Sequence, residues 1–232
     1  MKSNILAITL ARGGSKAIKN KNIKKINGKP LVFYTISEAK KSKYISDYIV
    51  STDSTKIAKI SKAYGAIIPF LRPKKLSTDK ASSVDALIHA TRYMEKINNK
   101  KYDYVIELMC TNPLKKVKDI DSIIKKIKKY KCDSVIAVNR VLDNHPARIK
   151  KIIKGKIINF CINEKAESRR QDLKPYAYVR SGSIYALNRD YLINKRKRYG
   201  SKKSFAYILP PERSINIDQE IDFYIAEKLL KK

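Results

Sequence analysis

Short apolar runs and amphipathic stretches alternate along the chain as far as Asn139. Residues 4–9, 48–52, 66–69, 102–108 and 133–138 are continuous apolar runs and predict buried strands. Between them, residues 30–39, 54–62, 83–97 and 119–130 place apolar side chains at helical spacing. Pro30 suits a first helical turn, and Ser82 or Ser83 suits an N-cap. In the 119–130 stretch Ile120, Ile123, Ile124 and Ile127 make one face, with Lys125, Lys126, Lys128 and Lys129 outside it. Strands that do not alternate with polar residues belong in a parallel sheet covered on both sides. Strand and helix in regular succession therefore predict an α/β fold with a mostly parallel, doubly wound, Rossmann-like sheet. Ligands of such sheets collect at the carboxyl ends of the strands.

The rhythm breaks after Asn139. Residues 149–153 and 156–160 alternate around Gly155 as a hairpin does, and a polar, basic segment covers 164–175. Strands resume at 182–187 and 206–209, and a helix over 219–230 closes the chain. No repeat and no linker divides it. Residues 1–232 read as one domain, with 140–180 as an excursion from its sheet.

Candidate chemistry sits at the predicted strand ends. The first strand runs into Leu10-Ala11-Arg12-Gly13-Gly14-Ser15-Lys16, followed by Lys21-Asn22. A glycine pair lets the backbone approach an anion, and Arg12, Lys16 and Lys21 supply charge. The spacing matches neither a Walker loop nor a dinucleotide fingerprint; an ordinary turn with solvated lysines is the competing reading. Asp53 ends the second strand, Thr111-Asn112-Pro113-Leu114 follows the fourth, and Asp79, Ser82 and Ser83 lie in a long loop able to meet a base or ribose. Alternation puts Asn216 and Asp218 on one face of Ser214-Ile215-Asn216-Ile217-Asp218, an oxygen pair suited to Mg²⁺. Asp218 as a simple helix cap stands beside that reading. Arg169-Arg170-Gln171 suits an anion, or a solvated surface. The only two histidines, His89 and His145, fit no zinc or Ser/His pattern.

Composition narrows the classes. The chain has 232 residues, 43% hydrophobic, enough for one folded domain with a substantial core. No apolar run approaches the roughly 20 residues of a membrane span, and the first residues carry no secretory h-region. Three separated cysteines, Cys110, Cys132 and Cys161, suit a reducing cytoplasm without disulfides. The formal charge of +31 raises the question of nucleic acid, yet the lysines are spread through every segment and no nucleic-acid motif is present. Nucleic acid is therefore not the expected partner. The same field would steer a small anionic substrate.

Taken in order, these motifs resemble the acylneuraminate cytidylyltransferases, the CMP-sialic acid synthetase family. The resemblance is carried by the Leu10 to Lys16 motif with Lys21-Asn22, Gly28-Lys29-Pro30-Leu31 and Ser51-Thr52-Asp53. It continues through Arg72-Pro73 with Asp79, Thr111-Asn112-Pro113-Leu114, Arg170-Gln171, Gly182-Ser183-Ile184-Tyr185 and Ser214 to Asp218, covering nearly the whole chain. It implies a Rossmann-like nucleotidyltransferase, usually a homodimer whose excursion makes the dimer contact and reaches the neighbouring site. It implies transfer of CMP from CTP to the anomeric hydroxyl of a nonulosonic acid, with Mg²⁺ and release of pyrophosphate. By the same resemblance Arg12, Gly13, Gly14, Ser15, Lys16, Lys21 and Asn22 would hold the triphosphate, with Arg12, Lys21 and Asp218 serving catalysis. Ser82 would lie near the cytidine; Thr111, Asn112, Arg170, Gln171 and Tyr185 would meet the acceptor; Asp218 and Asn216 would hold the metal. The chain departs from the family pattern in four places. Asn216 stands for an aspartate, Met109-Cys110 for Gln-Pro, Ser181 for an asparagine and Lys115 for a common arginine. Together the departures imply an acceptor other than N-acetylneuraminate, such as a legionaminate- or pseudaminate-type acid or another acidic sugar; a cytidylyltransferase acting on a phosphonate and a non-catalytic basic nucleic-acid binder are the competing readings.

Overall fold

Apolar residues that alternate between two covered faces explain the central sheet. In β1 (Ile5–Leu10), Ile5 and Ala7 join one cluster while Leu6 and Ile8 join the other, and all four are buried. The computed structural model describes residues 3–15, 17–164 and 169–231. After β1 come the short β2 (Lys25–Ile26) and β3 (Lys29–Pro30), α1 (Leu31–Lys41), β4 (Asp47–Ser51), α2 (Thr55–Ala63) and α3 (Ser83–Asn98). Next are β5 (Tyr104–Leu108), α4 (Val117–Tyr130), β6 (Ser134–Val141), β7 (Lys150–Ile153) and β8 (Lys156–Asn159). The chain ends with β9 (Ala177–Asn188), β10 (Ser204–Ile208) and α5 (Glu220–Leu230).

The sheet order is β10-β6-β9-β5-β1-β4. Strand β1 pairs in parallel with β4 and β5, and β10 with β6; β9 lies antiparallel between β5 and β6. This is the expected α/β architecture with a mostly parallel sheet. Apolar residues of α1, α2 and α4 cover one face, and Leu87, Ile88, Ala90 and Met94 of α3 cover the other. A third cluster docks Phe223 and Ala226 of α5 on Ile18, Ile26, Leu31 and Ile217. Among the described residues no helix is long and apolar enough to cross a membrane.

Two expectations change. The strand expected at 66–69 reduces to single bridges, Ile49 with Ile67 and Thr52 with Leu71, since Pro69 has no N–H to give a ladder. The excursion expected over 140–180 begins and ends inside the sheet, because Arg140 pairs with Tyr178 and Val141 with Ala177. Among the described residues, only 142–164 and 169–176 leave it. Within them β7 and β8 form the expected hairpin, turned by Lys154 and Gly155 at φ 50° and 76°. His145 fastens this segment: one ring nitrogen accepts from the Ala147 N–H at 3.2 Å and the other lies 2.8 Å from the Pro175 carbonyl.

Strand β9 bulges against β6 between the pairs of Ile136 and Val138. Gly182 in the bulge has φ +60°, and a Cβ there would stand 3.2 Å from Asn216 Oδ1. Only glycine fits both demands. The run before α5 is fixed from the other side. Arg213 donates to both oxygens of the fully buried Asp119, at 2.9 and 3.0 Å, and Tyr207 and the Lys116 N–H donate to the same carboxylate at 3.1 and 3.0 Å. Breaking a buried, multiply bonded ion pair leaves an uncompensated charge. Asp119→Ala should lower the unfolding free energy by about 3 kcal/mol, read from the urea midpoint; a change below about 1 kcal/mol would show that the tie does not hold this segment.

Candidate active site

Because β4, β1 and β5 are parallel, their carboxyl ends share one edge, where the loops after β1 and β5, the segment that leads into α3 and the run before α5 enclose a cavity of about 520 Å³. Its walls include Arg12, Ser15, Lys21, Asn22, Ser82, Thr111 and Asp218, seven of the residues singled out from sequence. The volume lies in the range of small-molecule sites.

The loop after β1 is shaped by contacts within the protein. The Gly13 N–H donates to Asp53 Oδ1 at 3.0 Å, and Arg72 stands 3.8 Å from the same oxygen. A Cβ on Gly13 would stand 3.1 Å from Ser54 Cβ, so this glycine permits a close approach to the start of α2. Neither Gly13 nor Gly14 lines the cavity, and a Cβ on Gly14 would meet nothing within 4 Å. Lys16 lies outside the described residues. Asn22 is buried and committed internally: Nδ2 donates to the Arg12 carbonyl at 2.9 Å, and Oδ1 accepts the Cys110 thiol at 2.9 Å. Burial pushes that thiol up to about 11, against the nearby Lys115 and Lys21 charges, so it serves as a proton donor at neutral pH.

Cations line the cavity. Arg12 Nη1 donates to Asp79 at 2.7 Å. Lys21 Nζ donates to the Ile217 carbonyl at 2.7 Å and to Asp218 Oδ1 at 3.1 Å, joining the first loop to the last one. The two readings of Asp218 now separate. Asp222 accepts the N–H groups of Asp218 and Gln219 at 2.8 and 2.7 Å and so caps α5. The Asp218 carboxylate is thereby left to the cavity. Its other oxygen accepts from Asn216 Nδ2, whereas Asn216 Oδ1 is buried with no partner among the described residues. Asn216 does not line the cavity: its amide nitrogen faces Asp218 and its oxygen stands against Gly182, so of the expected pair only the Asp218 carboxylate offers the cavity a hard oxygen of the kind Mg²⁺ takes. No group of three or more His, Cys, Asp or Glu side chains able to hold a metal occurs among the described residues.

Leu76, Ala81 and Ala86 add apolar walls beside Arg72, and Ser82 caps α3 by accepting the Val84 N–H at 3.1 Å. The floor holds Thr111, whose carbonyl accepts the Ile217 N–H at 2.7 Å and whose hydroxyl is buried without a partner among the described residues.

Four expected acceptor contacts lie elsewhere. Asn112 is fully buried and braces its loop, donating to the Arg213 carbonyl at 2.9 Å and accepting the Lys115 N–H at 3.0 Å. Tyr185 is packed in the core of β9 with the Arg198 guanidinium 4.7 Å from its ring centre. Arg170 and Gln171 are exposed on the excursion, where Arg170 stands 3.5 Å from Asp143, and neither lines the cavity.

Three residues escaped the sequence reading. Glu107 lines the cavity from within β5, and Arg198 Nη1 donates to its Oε2 at 2.8 Å. A lone acid inside an apolar strand run was the available signal, since a buried carboxylate needs a partner or a task. Arg198 and Arg213 come from irregular segments that carry no periodicity.

Lys115 is the cavity's buried support. Its ammonium donates to Thr35 Oγ1 at 2.8 Å and to the Asn112 carbonyl. Burial lowers it to about 7, with Cys110, Glu38 and Asp119 opposing.

The chain matches the family model described as cytidylyltransferase over residues 6–228. It is 31% identical to post-translational flagellin modification protein B of Campylobacter coli, covering 99% of this chain and 96% of that protein. It is 30% identical to the CMP-N,N'-diacetyllegionaminic acid synthase of Campylobacter jejuni, over 98% and 95% of the two chains. The N-acylneuraminate cytidylyltransferase of Escherichia coli is 32% identical over all of this chain, which spans only 53% of that longer protein. Among solved structures, a CMP:2-keto-3-deoxy-manno-octonic acid synthetase complexed with CTP shares the fold with a TM-score of 0.71, over 99% of both chains at 16% identity.

A lysine with a folded value lowered to about 7 is deprotonated in the native state where the unfolded chain still binds the proton. Stability should therefore rise with pH from about 7 to about 10 and show no slope from this group below 7. Lys115→Met should remove that component, seen as a flatter curve of melting temperature against pH than the native chain gives. Parallel curves would contradict the assignment.

Proposed function

The chain belongs to the cytidylyltransferase family, and we propose that it transfers CMP from CTP to the anomeric hydroxyl of a nonulosonic, sialic-acid-like sugar, releasing pyrophosphate. The observation that carries this reading is the make-up of the cavity, which Arg12, Ser15, Lys21 and Asp218 line together with Leu76, Ala81 and Ala86. The cations and hydroxyls suit a triphosphate, and the apolar walls suit a flat base. The relatives named as a legionaminic acid synthase and an acylneuraminate cytidylyltransferase support a sugar acid as acceptor.

In the proposed reaction the acceptor hydroxyl attacks the α-phosphorus in line, and the bond to pyrophosphate breaks. Negative charge spreads over the phosphoryl oxygens, so positioning and fixed positive charge do most of the work. Arg12 and Lys21 provide it, each now held by a carboxylate that an incoming phosphate would displace. The Thr111 hydroxyl, buried and without a partner among the described residues, is available to the substrate. Asp218 would hold Mg²⁺, joined by Asn216 once its amide turns to present the oxygen; the ion when bound would neutralise phosphate charge and lower the acceptor hydroxyl's pKa.

A homodimer in the cytoplasm is part of the same reading. The hairpin leaves Ile152 and Ile157 74% and 72% exposed, with Phe160, Tyr178 and Val179 also bare, a patch that a second copy would cover. Three free cysteines are at home in a reducing compartment.

With CTP, Mg²⁺ and a panel of α-keto nonulosonic acids, the folded chain should release pyrophosphate with at least one acid. Arg12→Ala should lower kcat/KM about a hundredfold. Silence across the panel would contradict the reading. Sedimentation equilibrium should give twice the chain mass and revert to one chain in Ile152→Asp/Ile157→Asp; a native monomer would contradict the dimer.

A further inference from the structure

We propose that the Cys110 thiol is a positioning residue of the nucleotide site: it fixes the Asn22 amide and, through it, the loop that carries Arg12. The inference rests on the cavity being the CTP site. Cys110 and Asn22 both line that cavity, at 2% and 5% exposure. Cys110 Sγ lies 2.9 Å from Asn22 Oδ1, and Asn22 Nδ2 donates to the Arg12 carbonyl at 2.9 Å. Among the described residues that carbonyl accepts from no other group. A side-chain amide has one accepting end and one donating end. The thiol and the carbonyl ask for the same orientation, so the amide has one way to face. Burial pushes the thiol up to about 11, which keeps it a donor across neutral pH.

Each end of this tie is anchored. Cys110 lies between two fixed points of the loop after β5: the Met109 N–H donates to the Ser183 carbonyl at 2.9 Å, and the Thr111 carbonyl accepts the Ile217 N–H at 2.7 Å. Asn22 lies in the short turn Lys21–Ile23, whose first residue sends its ammonium to Asp218. The thiol thus joins segments 88 residues apart, and Arg12 and Lys21 both belong to the segment it holds. The family pattern has a proline at this position, which brings no such donor, so the tie belongs to this chain. Without the thiol, Asn22 Oδ1 is left buried and unsatisfied. Any turn of the amide that relieves it releases the Arg12 carbonyl.

The test is calorimetric titration of the full chain with CTP and Mg²⁺, without acceptor, on variants whose melting curves show them folded. Cys110→Ala should weaken CTP binding about tenfold, and Cys110→Ser, which keeps a donor, should stay within about threefold of the native chain. In an Asn22→Leu background Cys110→Ala should cost nothing further, because the thiol acts through the amide. A second readout needs no nucleotide. The S–H stretch of Cys110 in the Raman spectrum, assigned as the band lost in Cys110→Ser, should lie below those of Cys132 and Cys161, whose sulfurs stand 3.6 and 3.9 Å from carbonyl oxygens. It should move up in Asn22→Leu. Native affinity in a folded Cys110→Ala, an equal loss in both backgrounds, or an S–H band unmoved by Asn22→Leu would overturn the role of the thiol and leave the CTP site standing. A native chain that binds no CTP would overturn the CTP site itself, and this role with it.

Discussion

The parallel pairing of β1 with β4 on one side and β5 on the other brings three loops to one edge of the sheet. Strands whose residues are buried on both faces can sit only between two helical layers, and crossover connections then force their carboxyl ends together. The edge alone makes half a site. The other half arrives from the far end of the sequence, where the run from Arg213 to Asp218 is held by three separate ties. Arg213 grips Asp119, the Ile217 N–H donates to Thr111, and Lys21 donates to the Ile217 carbonyl. Each tie joins this run to a different strand-end loop or helix. The position of Asp218 is thus a consequence of packing rather than of its own contacts.

Charge in the cavity is arranged as pairs. Arg12 faces Asp79, Arg72 faces Asp53, Lys21 faces Asp218 and Arg198 faces Glu107. For a chain of formal charge +31 this matters. The general field attracts anions from all directions, but affinity within the cavity is an exchange in which an anion displaces one carboxylate partner at a time. Arg12 and Lys21 are open to that exchange, with Asp79 and Asp218 solvent-facing. Glu107 is 3% exposed in its side chain and keeps its arginine.

Much of the fold was legible because burial on both faces writes unbroken apolar runs, and the amphipathic helices carry clear stripes, as Ile120 to Ile127 does. Pro69 was the visible obstacle to a strand at 66–69. The extension of β6 and β9 beyond the core was hidden, since Arg140, Tyr178 and Val179 pair through the backbone while their side chains remain outside. In the site, residue types told which segments matter, and direction decided the rest. Thr111 and Asn112 are neighbours, yet one lines the cavity and the other braces the loop. Tyr185 sits in a motif strand but faces the core. No periodicity places Arg198 beside Glu107, because the contact joins residues 91 apart through an irregular segment.

A crystal structure of the chain with CTP would show whether this cavity is the nucleotide site. The triphosphate should lie against Arg12 and Lys21, with the cytosine beside the apolar walls of Leu76, Ala81 and Ala86. CTP bound outside the cavity, or a triphosphate that touches neither Arg12 nor Lys21, would contradict it.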